Sequence, residues 1–237
     1  MRILVLFPVM LALVAACSTK ESATPMLEKI PEELEIHGDV RIDNYFWLND
    51  RENPQVIAYL EAENAYVDDV MGPYEGLQRS LFEEMKSRIK QDEESVPYRD
   101  GDYWYYYRYE EGREYPIYCR KKGTLEADEE ILLDVNIQAE GEDYYSVRGF
   151  AVSPDHSKAA YGVDTQGRRF YDVHFLDLAT GKRESRTIDN VTGDVEWAND
   201  NRTVFYTRQD PETLRSYQVI RHTLGSSEKD VLVYEES

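Results

Sequence analysis

Two periods of apolar residues divide the chain. From Asn53 to about Ile89 the apolar positions return at helical spacing. Val56, Leu60, Val67 and Met71 form one stripe, and Leu77, Leu81, Met85 and Ile89 form a second. Residues three or four apart share a helix face, so this spacing predicts two amphipathic helices. Asn53 suits the N-cap of the first helix and Pro54 its first turn. Gly72-Pro73 ends that helix, and the polar run "QDEES" up to Ser95 ends the second. After Ser95 the period shortens to alternation, which predicts strands. The chain holds 19 tyrosines, most of them in these alternating runs. Aromatic residues favour a pleated, half-buried surface, so their density strengthens the strand reading.

The alternating part repeats. "RDGDYWYYYRYEEGREYPIYCRKKG", "SPDHSKAAYGVDTQGRRFYDVHFLDLATG" and "ANDNRTVFYTRQDPETLRSYQVIRHTLG" share a plan. In each, an Asp stands six residues before a strand tyrosine: Asp100 and Tyr106, Asp155 and Tyr161, Asp200 and Tyr206. A polar turn then leads to Tyr115, Tyr171 or Tyr217, and a glycine turn follows at Gly123, Gly181 or Gly225. The Asp positions are 55 and 45 residues apart. Self-similarity at this period, with several strands per unit, predicts propeller blades. A sandwich built from the same hairpins is the structural alternative. Three blades do not close a ring, and the last strand, "DVLVYEES", stops without a capping element. The sequence therefore reads as unfinished. The expected fold class is mainly β: an N-terminal helical segment followed by the first roughly three blades of an incomplete β-propeller.

Charge narrows the partners. The formal net charge is -20 over 237 residues. Such a surface repels phosphate backbones, so no nucleic acid partner is expected. It favours cationic partners, basic peptides among them, and it also keeps a protein soluble.

The N-terminus reads as an address. Arg2 precedes an apolar run from Ile3 to Leu13, and Val14-Ala15-Ala16-Cys17 follows. The run is too short to span a bilayer comfortably. The pattern resembles the lipobox of bacterial lipoprotein signal peptides, which implies lipid attachment at Cys17 and a membrane partner through it. Ser18, where an Asp would resemble an inner-membrane retention signal, favours the outer membrane and a periplasm-facing envelope protein. The expected organisation is a signal peptide over 1–16, a polar tether over 17–35, a helical segment over 36–94 and a partial propeller over 95–237.

Candidate chemistry is sparse. Cys119 is the second cysteine and stands alone in a Tyr-rich strand, which is the setting of inert packing. No Cys/His spacing suggests a metal, and no cofactor is expected. The histidines are His37, His156, His174 and His222. His156 beside Asp155 invites a dyad, but the matching turn "ANDNRT" has Asn at that position, which marks a repeated blade turn. Glu110-Glu111 and Glu129-Glu130 read as solvated residues of a turn and a loop. Ser226 and Ser227 follow Gly225 in a hairpin turn, and no G-x-S-x-G elbow occurs. Asn190 and Asn201 begin Asn-x-Thr triplets, set aside because the signal is bacterial. No catalytic residue is therefore expected within this chain.

Several long strings carry a family resemblance. "DNYFWLND", "YLEAENAYVDDVM", "LFEEMKSRIKQDEESVPYRDGDYWYYYRYEEGREYPIYCRKKG", "FAVSPDHSKAAYGVDTQGRR" and "GDVEWANDNRTVFYTRQD" occur in order. Together they resemble the N-terminal region of oligopeptidase B, in the prolyl oligopeptidase family of serine peptidases. The resemblance covers about Ile36 to Glu236. It implies an N-terminal helical segment packing on an α/β-hydrolase domain and a seven-bladed propeller that restricts access to short peptides. It also implies cleavage after Arg or Lys by a Ser, Asp and His in that C-terminal domain, for which this chain has no counterpart. Peptide substrates and the hydrolase domain are thus the partners of the complete enzyme. The rival readings are an envelope lipoprotein acting as a peptide-binding or scaffold module, and a non-functional truncated relic.

Overall fold

The computed structural model describes residues 23–236. The stretch expected to be a signal segment, with Cys17, lies outside the described residues. The chain divides into two compact units between Ile89 and Lys90.

The first unit opens with an antiparallel hairpin of β1 (Glu32–Ile36) and β2 (Asp39–Asp43). His37 and Gly38 make its two-residue turn with φ of 54° and 81°. Positive φ at both turn positions matches the twist of paired strands. The first strand thus begins inside the stretch expected to be a tether. Helix α1 (Pro54–Met71) starts where its cap predicts, and the Asn53 side chain accepts the Gln55 N–H at 2.9 Å. Gly72-Pro73 ends α1 as the sequence indicates. It forms a single 3₁₀ turn, Gly72–Tyr74, that runs straight into α2 (Glu75–Ser87). Leu77, Leu81, Met85 and Ile89 are all exposed.

The second unit consists of three antiparallel meanders. Blade 1 contains β3 (Tyr98–Asp100), β4 (Tyr103–Arg108), β5 (Ile117–Lys122) and β6 (Glu129–Asp134), followed by a helical turn, α3 (Val135–Gln138). Blade 2 contains β7 (Ser146–Val152), β8 (Lys158–Asp164) and β9 (Tyr171–Asp177). Its outer position is split between β10 (Lys182–Arg183) and β11 (Ile188–Val191), which both pair with β9. Blade 3 contains β12 (Val195–Trp197), β13 (Thr203–Gln209), β14 (Ser216–Thr223) and β15 (Val231–Glu235). Each sequence repeat is its own sheet, which is the blade arrangement and not the sandwich.

The backbone repeats with the sequence. Gly101, His156 and Asn201 occupy the same place in the first hairpin of each blade, with φ of 55°, 61° and 59°. Gly123, Gly181 and Gly225 occupy the turn after the third strand, with φ of 76°, 67° and 72°. A left-handed residue costs an ordinary side chain about 1–2 kcal/mol, which explains glycine at all three of the latter positions.

The sheets pack face to face. Leu133 of blade 1 meets Ala159, Tyr161, Val163 and Leu176 of blade 2, and Tyr118 stacks on Phe150 with centroids 4.4 Å apart. Val173 and Phe175 of blade 2 meet Val204, Tyr206 and Ile220 of blade 3. Each large side chain among them contributes roughly 1.5–3 kcal/mol when fully buried, so these two seams supply most of the core, with a smaller cluster of Tyr106, Ile117 and Cys119 on blade 1. The middle position of blade 2 shows in β8, where Ala159 to Asp164 are buried on both faces. By contrast, every residue of β15 is exposed.

Candidate functional site

Strands alternate in direction within each blade, so the β4–β5, β8–β9 and β13–β14 loops share one end of the unit. Side chains fix each loop. In β8–β9, buried Asp164 accepts the N–H groups of Gln166 (2.8 Å), Gly167 (3.0 Å) and Arg169 (2.7 Å). In β13–β14, Asp210 accepts from the N–H groups of Glu212 and Thr213 and from the Thr213 hydroxyl. Hydrogen bonds from Thr213 hold the Asp210 carboxyl below its ordinary value. The β4–β5 loop is held by α3. Asn136 accepts the Tyr115 N–H at 2.9 Å and donates to the Tyr115 carbonyl at 2.8 Å.

Clefts open at both blade junctions at this end. The one between blades 1 and 2 has a volume of about 450 Å³ and is lined by Tyr107, Tyr109, Glu114, Tyr115 and Tyr118, among others. The one between blades 2 and 3 has a volume of about 400 Å³ and is lined by Arg148, Arg169, Asp194, Thr207 and Gln209, among others. Arg148 pairs with Asp194 at 2.8 Å, and Gln209 donates to the Arg169 carbonyl at 2.6 Å. The first cleft is aromatic and acidic, and the second is polar with two guanidinium groups. Neither lining includes a histidine, so among the described residues neither offers a nucleophile its usual base. Both clefts have the chemistry of binding surfaces.

The residues singled out by sequence fall elsewhere. His156 is at the opposite end, in the β7–β8 hairpin. Its ring meets the Tyr105 hydroxyl at 2.9 Å, and its carbonyl accepts from Arg120 at 2.8 Å. Asp155 turns instead to its own hairpin, accepting from the Ser153 hydroxyl (2.7 Å) and the Ser157 N–H (3.1 Å). The two neighbours do not form a dyad. Asn201, the counterpart of His156, accepts the Asp155 N–H at 2.9 Å, so each left-handed residue clasps the preceding blade. His37 lies in the turn of the β1–β2 hairpin and is exposed. His174 stacks on Tyr161 at 5.7 Å, and burial, reinforced by Arg183, pushes its pKa down. His222 is buried and meets Asp230 at 2.8 Å. Asp230 also accepts the Tyr206 hydroxyl at 3.0 Å and pairs with Arg186 of blade 2 at 3.3 Å. Burial, with Asp230 adding to it, pushes Tyr206 up to about 12.

One expectation needs correction. Glu129 and Glu130 do not sit in a loop but open strand β6. Both are paired, Glu129 with Arg108 at 2.9 Å and Glu130 with Arg120 at 2.8 Å. The Arg108 guanidinium holds the Glu129 carboxyl below the usual range. Glu110 does lie in the β4–β5 turn, paired with Arg108 and Arg113. Cys119 is buried in β5, and Ser226 lies in the β14–β15 turn. Sequence reasoning missed the two clefts. The signal for the first was the tyrosine density of the first repeat, which indicates strands before it indicates a cleft.

Comparison with known proteins follows the same outline. Residues 25–237 match the family described as prolyl oligopeptidase, N-terminal β-propeller domain. The chain is 42% identical to dipeptidyl aminopeptidase BI of Pseudoxanthomonas mexicana, over 97% of its own length and 34% of that protein. It is 40% identical to protease 2 of Moraxella lacunata, over 90% of its own length and 32% of that protein. Among solved structures, oligopeptidase B from Leishmania major superposes with a TM-score of 0.81 at 31% identity, covering 90% of this chain and 33% of that one. The chain thus spans about a third of the length of these relatives.

Proposed function

This chain belongs to the prolyl oligopeptidase N-terminal β-propeller family, and from that membership we propose that it is the N-terminal arm and first blades of a serine oligopeptidase acting on short peptides after Arg or Lys. The match over residues 25–237, with three blades stacked in order, carries the reading. The Ser, Asp and His of the reaction belong to an α/β-hydrolase domain outside residues 1–237. The blades restrict which peptides reach it, and the acidic surface draws basic ones in. Alone, the chain hydrolyses nothing. The lipobox-like segment adds an anchor at Cys17 that holds the protein at the bacterial outer membrane, facing the periplasm.

A second reading of the product follows from the relative named dipeptidyl aminopeptidase BI. In it the complete enzyme releases dipeptides from a free N-terminus. A basic peptide blocked at its N-terminus separates the two, because only an endopeptidase cuts it.

The first test is the coding sequence downstream of Ser237. The expected finding is a G-x-S-x-G elbow followed by Asp and His, with peptide cleavage by the whole product and none by residues 1–237. A confirmed stop with no hydrolase sequence nearby would sink the enzyme reading and leave an envelope binding module or a relic. For the anchor, labelling with a radioactive fatty acid should mark the protein and be abolished by Cys17→Ser.

A further inference from the structure

We propose that the cleft between blades 1 and 2 is a binding site for a cationic side chain, an arginine or lysine of a peptide, built from Glu114 and the tyrosines of β4 and β5. The inference deepens the peptide-handling reading by naming the side-chain class that this part of the blades receives. The site itself stands on geometry.

Three observations converge. The first is the unspent carboxylate. Around the β4–β5 loop the cations are already engaged: Arg108 pairs with Glu110 and Glu129, and Arg113 pairs with Glu110. Glu114 is exposed, lines the cleft and has no cation or hydrogen-bond partner among the described residues. Its charge is felt locally: the Tyr115 hydroxyl is pushed up, by burial first and by Glu114 next.

The second observation is the aromatic wall. Tyr107 of β4 and Tyr109, just beyond the strand, meet edge to face with centroids 6.0 Å apart, and Tyr107 leans on Tyr118 at 6.2 Å. Tyr107 is 43% exposed and Tyr109 36%, so ring surface is presented to the cleft and not consumed in packing. Ring faces attract ammonium and guanidinium groups, and a carboxylate at the rim supplies the opposite charge. An aliphatic chain leading to a cation fits the same rings along its methylenes.

The third observation is rigidity. Asn136 ties both backbone groups of Tyr115, Tyr115 meets Tyr145 edge to face at 6.4 Å, and Tyr118 is stacked on Phe150. The wall is therefore in place before a ligand arrives, which lowers the ordering cost of binding. The volume of about 450 Å³ accommodates one long side chain. An anionic side chain finds no cation in this lining, which holds Glu114 and no basic residue.

The test is direct binding to the full chain, read by calorimetry or by chemical shifts of the tyrosine rings. The probes are N-acetyl-arginine amide and its uncharged isostere N-acetyl-citrulline amide. The arginine probe is expected to bind saturably and the citrulline probe at least about fivefold more weakly, from loss of the charge. Glu114→Gln should weaken the arginine probe about fivefold. Tyr109→Leu should weaken it about threefold, while Tyr109→Phe retains binding because the ring remains. Circular dichroism confirms that each variant keeps its strands. Absence of saturable binding, equal affinity for the two probes, or an unchanged affinity in Glu114→Gln would each overturn the proposal. Because no readout uses catalysis, its failure is distinguishable from failure of the oligopeptidase reading. An enzyme that cleaves after Arg with an indifferent Glu114 loses only this site.

Discussion

At Cys119, burial decides reactivity. The thiol is 1% exposed, and burial, reinforced by Glu129, pushes its pKa up to about 12 from 9.0. The thiolate is the reactive form, so an aromatic disulfide reagent at pH 8 should leave the folded chain untouched at this site and react fully once urea unfolds it. Fast labelling of the folded chain would contradict the burial. The sign of the linkage is fixed by the same shift. The neutral thiol's contribution to stability is complete below about pH 9 and is lost as pH rises towards 12. A sequence shows that such a cysteine lacks a partner but not that Tyr106 and Ile117 close over it. The first-hairpin residues teach a related point. A Cβ at Gly101 would lie 2.6 Å from His156 Nε2, and the position has φ of 55°. Gly101→Ala should therefore destabilise the unit by about 1–3 kcal/mol, read as a lower urea midpoint. The repeat revealed that Gly101, His156 and Asn201 correspond. It did not reveal that His156 and Asn201 each reach back to the preceding blade, because that contact crosses about 50 residues of chain.

For the elements, what could be read ahead was what local chemistry dictates. Asn53 and Pro54 located the start of α1. The alternation and the turn residues located β4, β5, β8, β9, β13 and β14 within each repeat. Where the signal was short, tertiary context decided. Leu34, Ile36, Val40 and Ile42 alternate around His37-Gly38, yet such short strands flanked by charges read as the end of a tether and the start of a helical segment. Glu129 and Glu130 look like a loop because carboxylates are poor strand formers. Arg108 and Arg120 across the sheet make them acceptable there. Gly72-Pro73 does end α1, but Pro is welcome in a first turn and Gly72 keeps helical angles, so the next helix follows at once. The clefts were less legible still, since they belong to blade junctions and not to any strand. Asp164 offers the sharpest test at this scale. Its buried carboxylate satisfies three backbone N–H groups of the β8–β9 loop. Asp164→Ala strands all three, at about 1 kcal/mol each, so a loss of roughly 2–4 kcal/mol is expected in urea unfolding. A loss below 1 kcal/mol would mean that water replaces the side chain and that the loop is not held by it.

Across the whole molecule, charge acts beyond any single contact. With 47 acidic against 27 basic residues, the chain is anionic at neutral pH. Such a field raises the encounter rate of cationic peptides and does little for neutral ones. It is carried by exposed groups, and salt screens it over about 10 Å at 0.1 M. The association rate of a basic pentapeptide with the full chain, followed by stopped-flow fluorescence, should therefore fall about fivefold or more between roughly 10 and 150 mM salt, while an uncharged pentapeptide stays flat. Combining this with Glu114→Gln separates the two levels of recognition. One charge among 47 changes the overall field little, so the variant should keep the salt dependence of association and lose affinity through faster dissociation. If the salt dependence instead vanishes with Glu114, the attraction is a local pair and the acidic surface serves only solubility. If neither changes, the acidic surface and the tyrosine cleft are both bystanders to peptide capture.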